Sequence, residues 1–184
     1  MPPSVLRRTS SHSSQLSYRT LFDRQIGTTI PTTLHSLLAV RAFGLRAVGD
    51  LDADHLDRAI SWVHNSDLPD PTPWLEPGQL LLTDGGQFTG PGSTSPEAYC
   101  FRLQQRGVAG LGFSIDVIHA AVPAELAAAC ERHEIPLIEV PGTTPFIGII
   151  RHVADAKAAD RSARLTVSVA AAWSFCVSLA CVEI

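Results

Sequence analysis

The sequence predicts an α/β fold, a mostly parallel sheet flanked by helices, in a single domain behind a disordered amino-terminal tail. Three observations predict it. Short, almost purely apolar runs ("GQLLLT", "VAGLGFS", "PLIEV") alternate with helix-patterned segments, and strands apolar on both sides belong to sheets covered on both faces. Capping residues and glycine stops punctuate the chain at the spacing of strand–helix units. Hydrophobic residues make up 45% of the 184 and charged residues 17%, enough for one sizeable core and too short a chain for two.

Residues 1–29 are rich in Ser and Arg with one acid, Asp23, and read as a disordered tail, although an organellar transit peptide has a similar composition. The folded domain is expected over residues 30–160. "TTLHSLLAV" places Leu34, Leu37 and Leu38 on one helical face, with Thr32 or Thr33 as N-cap. "LRAVGD" is a short strand or turn, and the segment after it ends in a strand-like run, Ala59 to Val63. "GQLLLTDGG" is a buried strand closed by a glycine turn. In "SPEAYCFRLQQRG" Ser95 caps a helix, Pro96 takes its first position and Gly107 ends it. "VAGLGFS" is the next strand, "VPAELAAACERHEI" a helix with Pro123 in its first turn, "PLIEV" another buried strand, and "TPFIGIIRHVADAKAADRSAR" the closing helix. Residues 161–184 form an apolar segment without clear period. The run from Thr166 to Val182 is shorter than the ~20 apolar residues a membrane helix needs, and Ser168, Ser174 and Ser178 interrupt it, so membrane insertion is not expected.

In parallel sheets ligands bind at the carboxyl ends of the strands. Those ends are His64-Asn65-Ser66-Asp67, Thr83-Asp84-Gly85-Gly86, Phe113-Ser114-Ile115-Asp116 and Glu139-Val140-Pro141-Gly142.

The motifs of common chemistries are missing. The net charge is −4 and Lys157 is the only lysine, so a concentrated basic face for nucleic acid is not expected. Ser114 lacks the glycine spacing of a nucleophile elbow, and Asp116 and His119 near it read as loop residues. His64, Asp67 and Asp84 could converge, but without an HxH or HExxH pair no metal or other cofactor is expected, and no catalytic residue is assigned. "TDGGQFTGPGSTSPEA" leads glycines into a helix yet lacks the Walker lysine and the GxGxxG spacing. Cys100, Cys130, Cys176 and Cys181 form no CxxC; the first two fall in helices as buried free thiols, in keeping with a reducing, cytoplasmic setting. Trp62, inside a strand, is expected in the core. Trp74, at a proline-rich turn, is the better candidate for a pocket wall.

Three segments in order, "WVHNSDLPDPTPWLEPGQLLLTDG", "LQQRGVAGLGF" and "IPLIEVPGTTPFIGIIRHV", resemble the amino-terminal domain of the PucR family of bacterial purine-catabolism regulators, over about Thr32 to Ala159. The resemblance implies an α/β effector-sensing domain of a transcription regulator, not an enzyme, with a small-molecule effector; the apolar carboxyl-terminal segment, if folded, points to a homo-oligomeric assembly. His64, Asp67, Trp74, Thr83 and Gly85 match the family's pattern at adjacent strand ends and are the implied ligand-binding residues. Structural roles are implied for Trp62, Leu75 and Gly78. The helix-turn-helix that usually closes such regulators is not found after "ADRSARLTVS", so the chain alone is not expected to bind DNA. The rival reading is a hydrolase or lyase acting on a purine-derived small molecule through Asp67, Asp84 and His64.

Overall fold

Five strands build the sheet: β1 (Arg46–Val48), β2 (Trp62–Asn65), β3 (Gln79–Thr83), β4 (Gly110–Ser114) and β5 (Leu137–Val140). Their spatial order is β1-β5-β4-β3-β2. Strands β2 to β5 are parallel, and β1 joins the far edge antiparallel to β5. The structure, a computed structural model, describes residues 31–162. The Ser/Arg-rich tail, Cys176, Cys181 and the apolar segment beyond residue 162 lie outside the described residues. Residues 31–159 make up one compact unit.

Both faces of the sheet are covered, as apolar strands require. On one face lie α1 (Leu34–Leu38) and the helical run 146–162, called α5 below. They bring Leu34, Leu37, Ile149 and Val153 onto Val63, Leu80, Leu82, Ile138 and Val140. On the other face lie α3 (Pro96–Arg106) and α4 (Ala124–Arg132), whose Tyr99, Cys100, Leu103, Leu126 and Cys130 pack on Leu81, Leu111, Phe113 and Leu137. Alternate residues of one strand therefore feed two cores, the period of two that a pleated strand imposes. Cys100 and Cys130 are free buried thiols, as expected.

Most boundaries follow local chemistry. Thr33 caps α1 through a reciprocal pair with Ser36, an arrangement whose loss typically costs about 1 kcal/mol. Ser95, Pro96 and Gly107 bound α3 as the residue types predict, with Gly107 left-handed at φ 72°. Pro123 departs from expectation: it is the N-cap of α4 rather than a first-turn residue. The strand expected over Ala59–Val63 begins three residues later. Ala59 instead forms an isolated bridge with Thr33, and Ile60 N–H donates to Thr32 O at 2.8 Å. Ahead of it, Asp52 caps a one-turn helix, α2 (Ala53–Leu56), that has no apolar stripe to announce it.

Trp62 is a second correction. It is 45% exposed rather than in the core. Strand β2 is the sheet's edge, Val63 takes the covered side, and α3 and α4 draw their core from β3, β4 and β5. Among the described residues no helix packs over the indole to bury it in a core.

The link from β2 to β3 is the unusual one. Parallel neighbours need a crossover of a dozen or more residues, usually helical. Here residues 66–78 cross with one 3-10 turn, Thr72–Trp74, and four prolines, Pro69, Pro71, Pro73 and Pro77. Leu75 is fully buried in the α3 core and anchors the loop, worth about 1.5–3 kcal/mol as a burial. Two arginines of α3 clamp it from above: Arg102 Nη2 donates to Pro69 O at 2.7 Å, and Arg106 Nε donates to Leu75 O.

Candidate functional site

Because β2 to β5 run parallel, their carboxyl ends emerge on one side of the sheet, and the loops there interlock. At the centre is Asp67. Its Oδ1 accepts from the Thr83 hydroxyl at 2.6 Å and from the Asp84 backbone N–H at 2.9 Å. Thr83, the buried last residue of β3, also accepts from Gly85 N–H at 3.0 Å. The carboxylate is thus held by two donors of the next strand's end, while the residue as a whole is exposed. A hydroxyl–carboxylate distance of 2.6 Å is that of a charge-assisted hydrogen bond.

Gly85 is there because nothing larger fits. Its φ is +83°, and a Cβ would stand 2.6 Å from Phe113 Cζ and 2.8 Å from His119 Cδ2. His119 Nε2 lies 3.1 Å from Gly85 O; a ring nitrogen facing a carbonyl donates, so Nε2 carries a proton. Beneath the loop, His119, Phe113, Phe88 and Tyr99 form a run of ring contacts with centroids 5.1 to 6.5 Å apart. The His119 loop is itself tied back, with Asp116 left-handed at φ 62° and its N–H donating to His119 O at 2.7 Å.

Of the five implied ligand-binding residues, Asp67, Thr83 and Gly85 are brought into one hydrogen-bonded unit. His64 sits half-buried on β2, in register with Leu81, and Trp74 is 61% exposed on the 3-10 turn. Among the described residues no hydrogen bond or ion pair joins either of them to Asp67, Thr83 or Gly85. Near Trp74, Asp70 is held below the usual carboxylate range, first by the Thr72 hydroxyl that donates to it at 2.6 Å. Burial pushes the Tyr99 hydroxyl well above the usual tyrosine range.

A separate open concavity of about 510 Å³ lies elsewhere, lined by residues that include His35, Leu38, Asp50, Leu51 and Leu56. It follows the end of β1, which is antiparallel to β5 with Val48 opposite Leu137, so it sits at the amino-terminal end of the parallel strands. Its volume is in the range of small-molecule sites, but its walls hold few convergent polar groups.

The model of the purine catabolism regulatory protein-like family, PucR, matches residues 36–156. The chain belongs to the PucR family. The match spans every strand and all the loops just described, and agrees with the segments on which the resemblance rested. Among curated proteins, the transcriptional activator PmfR of Paenarthrobacter nicotinovorans is 28% identical over 131 residues, which is 71% of this chain and 27% of that protein. The PucR chain described here therefore spans about a quarter of that relative's length. No solved structure matches it. Both the family description and the relative's name are those of regulators.

Sequence reasoning missed two participants in the PucR loop cluster. His119 reads in the sequence only as a loop residue, and the fold shows it against Gly85. Gln87 carried no signal at all: it is 4% exposed inside "GGQF", a stretch that reads as flexible but forms a 3-10 turn, Gly86–Phe88.

Proposed function

We propose that this chain is the effector-sensing domain of a transcription regulator of purine or nitrogen catabolism, acting in the bacterial cytoplasm. A small molecule binds over the carboxyl ends of β2, β3 and β4, with Asp67, Thr83 and Gly85 as its floor and His64 and Trp74 as its walls. The observation that carries this reading is the Asp67 carboxylate, fixed on one oxygen by Thr83 and Asp84 while the residue stays exposed. Such an arrangement suits recognition, because the acceptor is oriented before a ligand arrives. The effector acts by binding one of two conformational or oligomeric states better than the other. Exposed Trp62, Leu68 and Trp74, on the edge strand and the loop that follows, favour self-association.

The rival hydrolase or lyase would need Asp67, Asp84 and His64 within reach of one another. Asp67 Oδ1 instead contacts the Asp84 backbone, and among the described residues no hydrogen bond links His64 to either carboxylate. That geometry favours binding over proton transfer.

The test is a thermal-shift screen of the chain with purines, ureides, amino acids and small carboxylates. A ligand at a hundred times its dissociation constant stabilises the native state by about 2.7 kcal/mol. The expected hit disappears in Asp67→Ala and weakens in Trp74→Ala. A hit indifferent to both would place the binding elsewhere on the molecule.

A further inference from the structure

The polar atoms behind Asp67 do not pair as a simple list of distances suggests. Thr83 Oγ1 lies 2.6 Å from Asp67 Oδ1 and 3.0 Å from Gln87 Oε1, and a hydroxyl has one proton to give. Meanwhile Gln87 Nε2 and the Tyr99 hydroxyl are both buried without a partner. Gln87 is 4% exposed and Tyr99 fully buried, so neither can turn to solvent. The two orphaned groups belong to one buried region: Phe88, the chain neighbour of Gln87, meets the Tyr99 ring edge-on with centroids 5.1 Å apart.

One half-turn of the Gln87 amide, which exchanges oxygen and nitrogen in nearly the same volume, resolves every conflict. The amide nitrogen then donates to Thr83 Oγ1 across the same 3.0 Å, and the amide oxygen becomes available to the orphaned Tyr99 hydroxyl as an acceptor. Thr83 Oγ1 accepts from Gly85 N–H and from Gln87 and donates to Asp67, which is the full capacity of a hydroxyl. The shorter of the two distances decides the direction, because Asp67 as a carboxylate can only accept.

We infer that Gln87 is a positioning residue: held by Tyr99, it commits the Thr83 proton to Asp67 Oδ1, so that Asp67 Oδ2 faces the ligand as an acceptor. This inference rests on the sensing reading above for its consequence, and it narrows that reading. The effector offers N–H groups or positive charge to Asp67, as an amine, amidine or ureide does, and not an anionic group. Tyr99 belongs to α3, the helix whose Arg102 and Arg106 also hold the proline loop. The relay therefore connects the ligand-facing carboxylate to the helix that also holds the proline loop.

The test needs no ligand. In the 15N-labelled 184-residue chain, the Gln87 side-chain amide protons are expected to show nuclear Overhauser effects to the Thr83 β proton and methyl. The Thr83 hydroxyl proton is expected in slow exchange. Effects from those amide protons to the Tyr99 ring alone would overturn the assignment. As a second readout, Gln87→Met keeps the volume but frees the Thr83 hydroxyl, and the Asp84 amide resonance should move because its acceptor is no longer oriented. An unchanged Asp84 resonance in that variant would show that Gln87 fills space and positions nothing. The sensing reading fails separately: a confirmed relay in a protein that no N–H donor compound stabilises would leave the relay standing and remove its purpose.

Discussion

Gly85 concentrates the argument at the scale of single residues. The left-handed backbone and the 2.6 Å approach of Phe113 Cζ to a Cβ position act together, and backbone strain and overpacking each cost about 1–3 kcal/mol. Gly85→Ala is therefore expected to lower stability, measured by urea denaturation, by more than a surface substitution such as Glu125→Ala, which should stay within about 0.5 kcal/mol. Equal effects from the two would mean that the loop is free to move away from Phe113. The position of Gly85 at a strand end was legible in the sequence, because an apolar run followed by Asp-Gly-Gly admits few other readings. The reason that only glycine fits there was not, since Phe113 and His119 come from a strand and loop about 30 residues away. Trp62 was misread for a related cause: an indole in a strand is usually covered, and only the strand order shows that β2 is an edge.

Among the elements, α3 was legible from end to end: Ser95 stands at the N-cap position without a side-chain capping bond, and Pro96 and Gly107 set the two ends through their own backbone and need no tertiary partner. Strand β2 and the one-turn α2 were not, since their limits are set by the bridge from Thr33 to Ala59 and by a single capping aspartate. The proline loop was legible as a turn but not as a helix-free parallel crossover. What binds α3 to α4 also emerges only in three dimensions. Glu97 accepts from Arg132 Nε at 3.1 Å and pairs with His133 Nε2 at 2.8 Å, while His133 Nδ1 meets Gln104 at 3.2 Å. Arg132 first, and His133 second, hold the Glu97 carboxyl below its ordinary value of 4.5. A depressed carboxyl stabilises the fold above its unfolded value, and that contribution is lost as pH falls through the lower folded value. The melting temperature of Glu97→Gln should thus lie below that of the wild type at neutral pH, with the gap closing as the medium is acidified below the ordinary carboxyl value of 4.5 and through the lower folded one. A gap that persists unchanged into acid would show that the cluster acts through packing and not through charge. Half of the Glu97 side chain is exposed, so the effect belongs to the small class of surface ion pairs.

For the molecule as a whole, the fold class was predictable because it depends on the alternation of apolar strands with capped helices, which one sequence displays. The location of a site was only half predictable. A parallel sheet directs attention to the carboxyl ends of its strands, and the loops there do interlock around Asp67, Thr83 and Gly85. The concavity at the other end of the sheet, lined by His35, Asp50 and their apolar neighbours, has no motif to mark it and depends on the antiparallel β1 that shapes it. The two ends make opposite predictions for one experiment. An amide-resolved NMR titration of the chain, with whichever compound raises its melting temperature, should move the resonances of Asp84, Gly85 and Gly86 first and leave Gly49, Asp50 and Leu51 in place. Perturbations centred on Gly49, Asp50 and Leu51, with the Asp84–Gly86 loop silent, would contradict the account and move the sensor site to the opposite end of the sheet.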